Sequence, residues 1–335
     1  MAPSFGVSFA PFSPVMKIYP TCHVNERGRP DGAQVDIVRV EDCVTRNVVV
    51  PDNKSLDGLW DSIVVKQVVK EQLLNHALLA LELRQKLPFS VTALHGLLLL
   101  IGPPGTGKTT LARALATQVA PRVPKGKARL IEINPHGLMS AEHGQSQQLV
   151  SKLLTDYIPS IASDGMPTVV LLDEVESMAV ARSEASLSAN PADVHRATDA
   201  VLAALDQNTQ DSPHLIVVAT SNFPRALDEA LRSRADAVVE LPNPDRAAIV
   251  EILKKTLSDF APADKHFADL ARDATLTKVA AELVGCDARR VRKVVTEAIA
   301  LELDTVLDFK RLSIDDLLVA ARNAKASLPK AEGRG

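Results

Sequence analysis

Cysteine and aromatic residues are scarce in this chain of 335 residues. It has 3 cysteines, Cys22, Cys43 and Cys286, and only 3% of its residues are aromatic, with Trp60 as the single tryptophan. An odd number of widely spaced cysteines without a Cys-x-x-Cys pair indicates neither a disulfide framework nor a zinc site. We therefore expect a protein of a reducing compartment, the cytoplasm.

The chain also lacks long runs of basic residues and long runs of apolar residues. The formal net charge is −3, and no basic run is present that would follow a phosphate backbone, so nucleic acid is not the expected partner. The longest apolar run, residues 97–101, is too short to cross a bilayer, and the first residues carry no secretory-signal pattern. We expect neither membrane insertion nor export.

The chain does contain a series of short apolar runs. They lie at 97–101, 130–133, 168–172, 215–219 and 237–241, mostly separated by segments long enough for a helix. Continuous apolar strands with helices between them are typical of a parallel sheet that is covered on both faces. The sequence therefore predicts an α/β fold with a five-stranded parallel sheet.

Composition divides the chain further. Residues 1–50 hold five prolines and short β-branched pieces, which is typical of a small β-containing module or a partly disordered arm, and we assign them to a short N-terminal module that binds a substrate or adaptor. After residue 242 strand patterns cease, and helical patterns occupy 245–259, 276–284, 288–303 and 314–325. We predict a large α/β domain at 51–242, a small all-helical domain at 243–328 and an unstructured tail at 329–335.

A glycine-rich segment follows the first of the apolar runs. GPPGTGKT, residues 102–109, matches the pattern G-x-x-x-x-G-K-[ST] between a predicted strand and a predicted helix. Its amides can cradle phosphates, Lys108 can reach the β and γ oxygens, and the Thr109 hydroxyl can bind Mg²⁺; the alternative is a glycine-rich turn without a ligand. The predicted ATP-binding residues here are Gly102, Pro103, Pro104, Gly105, Thr106, Gly107, Lys108, Thr109 and Thr110.

Two adjacent carboxylates follow the apolar run 168–172. Asp173 and Glu174 repel each other, so they are either a solvated strand end or partners of a cation. A nucleotide bound with Mg²⁺ supplies that cation. We predict that Asp173 holds Mg²⁺ and that Glu174 deprotonates the attacking water.

Polar residues near two later strands are weaker candidates. Asn222 ends the strand after the carboxylates and can align the same water, or it can simply cap a turn. Arg232 and Arg234 precede the last strand. Either arginine can stabilise phosphate charge in a transition state, or face an aspartate on the surface, and the sequence alone leaves both alternatives open.

A basic segment begins a predicted helix of the second domain. Arg289 lies early in that helix and would reach the γ-phosphate if the domain closed over the nucleotide. The alternative is a basic solvated helix face, and we assign Arg292 and Lys293 to such a face.

In this order the motifs resemble those of the AAA+ ATPases, which combine a RecA-like core with a helical lid. More narrowly, they resemble the pachytene-checkpoint family, which remodels HORMA-domain proteins. The narrower resemblance covers roughly residues 48–293 and rests on GLWDSI (58–63), GPPGTGKTTLARALA (102–116), LIEINPHGLMS (130–140), LLDEVES (171–177) and TSN…LDEALRSRAD (220–236).

The resemblance implies a homohexameric ring that binds ATP and Mg²⁺ between subunits. Arg234 would then act in trans on the neighbour's nucleotide, and Asn222 and Arg289 would sense the phosphate from the strand and from the lid. The segment 56–62, with Trp60, would pack near the adenine; the alternative for Trp60 is an aromatic plug in the core.

The family also uses loops that line the pore of the ring and usually present an aromatic residue to a threaded peptide. In this chain the corresponding loop, GLMSAEHGQS (137–146), has no aromatic hydrocarbon ring. Leu138, Met139 and His143 are the residues that would grip a client instead. A second loop of this kind would lie at 181–193.

The predicted function is that of an ATP-hydrolysing remodeller that converts closed HORMA proteins to the open form. The short N-terminal module favours a bacterial member, found beside a HORMA protein and a cyclic-oligonucleotide synthase in antiviral operons. There it would disassemble the complex of the HORMA client with this nucleotidyltransferase and so act as a negative regulator. The alternatives are a DNA-directed AAA+ machine and a nucleotide-gated scaffold.

Overall fold

A central sheet organises the first part of the chain. The computed structural model describes residues 40–134, 138, 145–178 and 191–328. Within these residues the sheet has six strands, and no helix is long and apolar enough to span a membrane. The strands are β1 (Val44–Val50), β2 (Leu97–Ile101), β3 (Ala128–Ile133), β4 (Thr168–Leu172), β5 (Leu215–Ser221) and β6 (Ala237–Glu240).

Helices connect these strands and form the remainder of the described chain. Those up to β6 are α1 (Leu59–Ser62), α2 (Gln67–Leu83), α3 (Phe89–Thr92), α4 (Lys108–Val119), α5 (Gln145–Ser151), α6 (Ile158–Ile161), α7 (Pro191–Asp211) and α8 (Glu229–Ser233), with a π-helix at Lys152–Tyr157. Those after β6 are α9 (Arg246–Phe260), α10 (His266–Leu270), α11 (Leu276–Glu282), α12 (Ala288–Ile299), α13 (Leu303–Leu307) and α14 (Ile314–Ala326). Short 3₁₀ turns lie at Val40–Cys43, Lys54–Leu56, Ala120–Arg122, Val175–Ser177, Pro224–Ala226 and Phe309–Arg311.

The strand order is β1-β3-β4-β5-β2-β6, and β2 to β6 all run parallel. The five predicted parallel strands are thus confirmed, but the count of five is corrected to six. The added strand β1 pairs antiparallel with β3, from Val44 opposite Ile133 to Val50 opposite Ala128. The α/β part therefore begins before residue 51, because the β-branched piece assigned to the N-terminal module completes the edge of the sheet.

Both faces of the sheet are buried. Along β2, Leu97 and Leu99 face one core, while Leu98 and Leu100 face the other. Helices α2 and α4 cover the second face, and α7 covers the first. Because the side chains of β2 point alternately into these two cores, every residue of the strand has apolar neighbours. This explains why the strand is a continuous apolar run in the sequence.

The helices after β6 bury a separate core. It contains the fully buried Phe267, whose ring lies 5.4 Å from that of Phe260 and 5.5 Å from that of Phe309. Side-chain caps fix where these helices begin: Asp245 accepts a hydrogen bond from the backbone of Ala248, and Asp287 caps α12 in the same way. Among the described residues no strand follows β6, and the proposed domain boundary at residue 243 stays a prediction.

Strand order decides where a ligand can bind. In parallel sheets of this kind, ligands bind in the crevice beyond the carboxyl ends of the strands. The crevice lies where the strand order reverses, so that the connections from two adjacent strands lead to opposite sides. Strand β2 lies between β5 and β6, and β4 lies beyond β5. The segments that follow β2, β4 and β5 therefore meet at one edge of the sheet.

Candidate nucleotide-binding site

A pocket of about 350 Å³ opens at this edge of the sheet. The loop after β2, the ends of β4 and β5, the segment before α2 and the start of α12 all contribute to it. Its lining residues are Ile63, Val64, Pro104, Gly105, Thr106, Gly107, Lys108, Thr109, Thr110, Asp173, Glu174, Thr220, Asn222, Ile252, Ala288, Arg289, Arg292 and Lys293. Most residues predicted to bind ATP or to act on it thus share one pocket.

The loop between β2 and α4 depends on its glycines. Gly102, Gly105 and Gly107 have φ values of 145°, 80° and 96°, which side-chain-bearing residues rarely adopt. A Cβ on Gly102 would lie 2.2 Å from the carbonyl oxygen of Leu241, so the loop can pass this backbone only without a side chain. The loop then delivers the chain to α4, whose first-turn amides have no partner within the helix and suit an anion.

Lys108 directs its ammonium group into this loop. Its Nζ donates to the carbonyl oxygens of Gly102 and Pro103, both at 2.8 Å, and to Oδ1 of Asn222 at 2.7 Å. Burial lowers the pKa of Lys108, while the carboxylates of Glu176, Asp173 and Glu174 oppose that shift. The ammonium is therefore held by neutral oxygens that phosphate oxygens can replace.

Thr109 and Asp173 form the predicted metal site. The Thr109 hydroxyl donates to Oδ1 of Asp173 at 2.7 Å, so the two oxygens meet between α4 and the end of β4. Hydroxyl and carboxylate oxygens are hard ligands of the kind that Mg²⁺ prefers, together with phosphate oxygens and water. The residues present therefore fit Mg²⁺.

Glu174 differs from Asp173 in both conformation and contacts. Its backbone is left-handed, with φ 53° and ψ 52°, which is uncommon for a residue other than glycine. Its side chain is exposed to the pocket, and Oε1 accepts a hydrogen bond from Nδ2 of Asn222 at 3.0 Å. The structure therefore brings Glu174, Asn222 and Lys108 together.

The helical domain closes one side of the pocket. Arg289 lines it, and the backbone N–H of Arg289 donates to the carbonyl oxygen of Gly105 at 3.2 Å. Arg292 and Lys293 also line the pocket, and Nη2 of Arg292 donates to the carbonyl oxygen of Ser62 at 2.5 Å. Both residues are exposed, as predicted for a solvated helix face, and the contact of Arg292 with Ser62 additionally joins this face of α12 to the segment before α2.

Trp60 does not line the pocket. Its side chain is 8% exposed and packs in the core beneath the second face of the sheet, and the Lys70 ammonium lies 5.7 Å from the centre of its ring. The prediction of an adenine contact is corrected, and the core-plug alternative describes this residue. Ile63 and Val64, a few residues further on, supply the apolar wall of the pocket instead.

Arg234 lies outside this pocket and binds an aspartate. Its Nε and Nη2 each donate to a different oxygen of Asp206 at 2.8 Å, which raises the pKa of Arg234 and lowers that of Asp206. Arg232 is exposed and donates to the carbonyl oxygen of Pro224 at 3.3 Å. The action of Arg234 on the nucleotide of a neighbouring subunit stays a prediction.

The predicted pore-loop residues fall mostly outside the described part of the chain. Met139 and His143 lie outside it, as do residues 181–190 of the second predicted loop. Leu138 is described, and its side chain is 0% exposed in the core on the first face of the sheet. The expectation that Leu138 is presented to a pore is therefore corrected, because its side chain packs inward.

Among the residues not predicted for this site, two are polar and contact the predicted ones. Thr220 is 1% exposed at the end of β5. Its hydroxyl donates to the carboxylate of Asp173 and accepts from the backbone N–H of Glu174. Glu176 accepts a hydrogen bond from the backbone of Asn222 at 3.0 Å, while its other oxygen is buried without a partner among the described residues. Both lie inside motifs quoted for the resemblance, TSN and LLDEVES, which was the only signal available for them.

Fold and site together define an α/β protein with a phosphate-binding loop and a helical lid. Comparison with known proteins narrows this class. The family model "ATPase family associated with various cellular activities (AAA)" matches residues 98–243. CD-NTase-associated protein 6 of Pseudomonas aeruginosa is 46% identical over 282 residues, which cover 84% of this chain and 92% of the relative.

Eukaryotic relatives match a smaller share of their own length. Pachytene checkpoint protein 2 homologues are 36% identical over 209 residues in Arabidopsis thaliana and 32% identical over 256 residues in Homo sapiens. These matches cover 62% and 76% of this chain, but only 44% and 58% of the relatives, so the chain spans about half the length of these proteins. The chain belongs to the AAA family of ATPases, in the group that includes CD-NTase-associated protein 6 and the pachytene checkpoint protein 2 homologues.

Solved structures agree in fold. The structure of C. elegans PCH-2 matches with a TM-score of 0.65 at 24% identity, over 81% of this chain and 72% of that chain. A chain in the E. coli MS115-1 HORMA:CdnC:Trip13 complex matches with a TM-score of 0.66 at 18% identity, over 85% of this chain and 96% of that chain. At these identities the likeness supports the arrangement of the sheet and the lid.

Proposed function

We propose that this chain is an ATP-driven remodeller of HORMA-domain proteins and a negative regulator in a bacterial antiviral system. The observation that carries the proposal is the convergence of Lys108, Thr109, Asp173, Glu174 and Asn222 on one pocket. A binding module would need only the glycine-rich loop and the lysine. The additional carboxylate and amide are the groups that hydrolysis requires.

The chemistry follows from what each side chain can do. Lys108 and the amides at the start of α4 bind the phosphates of ATP. Thr109 and Asp173 would hold Mg²⁺, which supplies neutralising charge for the phosphates when it is bound. Glu174 takes a proton from the attacking water, and Asn222, 3.0 Å away, keeps the Glu174 carboxylate oriented towards that water.

The lid provides the link between nucleotide and motion. Arg289 and Arg292 line the pocket from α12, and Arg292 also binds the backbone of Ser62 ahead of α2. A triphosphate in the pocket adds attraction for these guanidinium groups, and its hydrolysis removes part of that attraction. The angle between lid and sheet would then change with each turnover, which in a homohexameric ring moves the pore loops.

The client class is supported by the relatives. One relative carries the name CD-NTase-associated protein 6, and the matched complex from E. coli MS115-1 contains HORMA, CdnC and Trip13 components. We propose a HORMA-domain protein as the client, alone or bound to a nucleotidyltransferase. Conversion of the closed form to the open form would release that partner.

The first test uses Glu174→Gln. This variant should bind ATP and assemble as the wild type does, while phosphate release falls about 10²–10⁴-fold, because the amide cannot accept the proton. Turnover is measured as phosphate release, and remodelling as loss of a closed HORMA–peptide complex, using a HORMA-domain protein from the same genome. Both activities should be lost together.

A matched change elsewhere serves as the control. Glu297→Gln makes the same substitution at an exposed position of α12 and should leave both activities at wild-type level. Near-normal phosphate release by Glu174→Gln would contradict the assignment of the base. ATP turnover stimulated by DNA, and not by the HORMA protein, would instead favour a DNA-directed AAA+ ATPase.

A further inference from the structure

The hydroxyl of Thr220 touches both acidic positions of the site. Its Oγ1 donates to Oδ1 of Asp173 at 2.6 Å and accepts from the backbone N–H of Glu174 at 3.0 Å. The side chain is 1% exposed, so water does not compete for these bonds. One hydroxyl thus uses its donor and an acceptor site on two successive residues of the neighbouring strand end.

We propose that Thr220 is a positioning residue for ATP hydrolysis, which assigns the two adjacent carboxylates to their separate roles. The inference rests on the proposed function and deepens it, because it names the group that prepares the metal ligand and the base together. Thr220 touches neither nucleotide nor water in this scheme. It acts through Asp173 and Glu174.

The donated bond fixes the carboxylate of Asp173. Oδ1 receives hydroxyl protons from Thr109 on α4 and from Thr220 on β5, at 2.7 and 2.6 Å. These two donors come from different elements, so they restrain rotation of the carboxylate from two sides. The second oxygen, Oδ2, has no hydrogen bond to any described residue, which leaves it to a cation.

The accepted bond fixes the backbone of Glu174. A left-handed conformation is strained for a residue with a side chain, and it persists only where neighbouring groups hold it. The Thr220 oxygen holds the N–H of Glu174 at the point where β4 turns into the 3₁₀ segment Val175–Ser177. This turn sends the Glu174 side chain to Asn222, while Asp173 faces Thr109.

The register of the sheet makes this contact possible. Leu172, the last residue of β4, lies opposite Ala219 of β5, so the next residues along the two strands are Asp173 and Thr220. By contrast, Thr168 at the other end of β4 is 0% exposed, and its hydroxyl donates only to the carbonyl of Met166, two residues away. Thr168 is a threonine of equal burial that serves only local structure.

The experiment compares Thr220→Val, Thr220→Ser and Thr168→Val. Valine preserves shape and removes the hydroxyl, whereas serine keeps it. We expect Thr220→Val to lower kcat by about 10–100-fold, as for other residues that orient a metal ligand, with little change in ATP affinity measured without Mg²⁺. Thr220→Ser should restore most of kcat, and Thr168→Val should keep wild-type kcat.

A second readout is independent of turnover. In the hydrolysis-deficient Glu174→Gln background, a fluorescent ATP analogue is bound at increasing Mg²⁺ concentration. Adding Thr220→Val should raise the Mg²⁺ concentration at the midpoint by about 10–100-fold, and adding Thr168→Val should not raise it. If the wild type fails to hydrolyse ATP, the proposed function fails, while this titration still tests Thr220.

The outcomes separate cleanly. A kcat and a Mg²⁺ midpoint for Thr220→Val that match those of Thr168→Val overturn the proposal. So does an equal loss of kcat in Thr220→Val and Thr220→Ser, because that would make the residue a packing element. If Thr220→Val does not fold, Thr220→Ala replaces it, and restored kcat in Thr220→Ser relative to Thr220→Ala carries the same decision.

Discussion

At the scale of single residues, the side chain of Asn222 lies between the charged groups of the site. Its carbonyl oxygen accepts from Lys108 at 2.7 Å and its amide nitrogen donates to Glu174 at 3.0 Å. An amide can hold a cation and a carboxylate at once because it carries both an acceptor and donors without net charge. If phosphate oxygens replaced Oδ1 of Asn222 as the partner of Lys108, that oxygen would be freed to accept a hydrogen bond from a water, while the bond from Nδ2 to Glu174 can persist.

Leu138 provides a residue-scale prediction. Its side chain is 0% exposed, so Leu138→Ala should leave a cavity and lower the free energy of unfolding by about 2–5 kcal/mol. Chemical denaturation followed by circular dichroism measures this change. A loss of remodelling in this variant would then reflect a weakened core.

The comparison variant is Met139→Ala, at a position predicted to grip the client. It should lose remodelling while retaining the stability of the wild type. Wild-type stability of Leu138→Ala, together with lost remodelling, would restore the original pore assignment of Leu138. Intact remodelling in Met139→Ala would favour a nucleotide-gated scaffold.

The predictability of single residues depended on whether their role is local. Lys108 and Thr109 follow from a contiguous motif, and Asp173 from its position after a buried strand. Thr220 could not be assigned, since its partners lie on another strand and the contact depends on register. Trp60 was ambiguous for a different reason, because an aromatic side chain on a four-residue helix can turn to either side, and here it turns to the core.

At the scale of elements, the parallel strands were predictable because they are buried on both faces. The runs 97–101 and 168–172 coincide with β2 and β4. Strand β1 was harder to place, since it is an edge strand of mixed burial in a proline-rich neighbourhood. The contact between Arg292 and Ser62 could not be predicted, because the position of a helix in the second domain is set by packing against the rest of the molecule.

Gly105 couples two elements, the phosphate-binding loop and α12. A Cβ at Gly105 would lie 2.2 Å from Oδ1 of Asp287, the residue that caps α12. Gly105→Ala should therefore displace the cap in addition to straining the loop, and lower the melting temperature of the nucleotide-free protein. The strain costs about 1–2 kcal/mol and the lost cap about 0.5–2 kcal/mol.

Gly126 provides the control for the strain alone. It also has a positive φ, 61°, but a Cβ there would meet no atom within 4 Å. Gly126→Ala should therefore destabilise the protein less than Gly105→Ala. The difference in destabilisation between the two substitutions should be smaller in an Asp287→Ala background, because the carboxylate that clashes with the new Cβ has been removed. Equal effects of both glycine substitutions, in either background, would show that the loop and the lid are not coupled through this contact.

At the scale of the whole molecule, the site within one chain lacks an arginine from the segment before β6. Arg289 and Arg292 come from the lid, whereas Arg234 binds Asp206 on α7 outside the pocket. The two bonds to Asp206 use Nε and one proton of Nη2, and a third bond joins Nη1 to the carbonyl of Ala230 at 3.1 Å. One N–H on each terminal nitrogen remains for a further acceptor, so the ion pair can orient Arg234 towards a neighbour without consuming it.

Mixed rings decide whether Arg234 acts on a neighbour or only pairs with Asp206. Arg234→Ala leaves its own phosphate-binding loop intact, whereas Lys108→Ala leaves its own Arg234 intact; each variant alone should be nearly inactive. After subunit exchange, an intact loop can meet an intact arginine at some interfaces, so phosphate release should rise well above the sum of the separate variants.

Mixing Lys108→Ala with Glu174→Gln is the control, because both defects lie in the same pocket of one subunit, and it should restore no phosphate release. No recovery in the first mixture, with subunit exchange verified by fluorescence transfer, would mean that Arg234 serves its own subunit, because a residue that works only within its chain cannot be supplied by another.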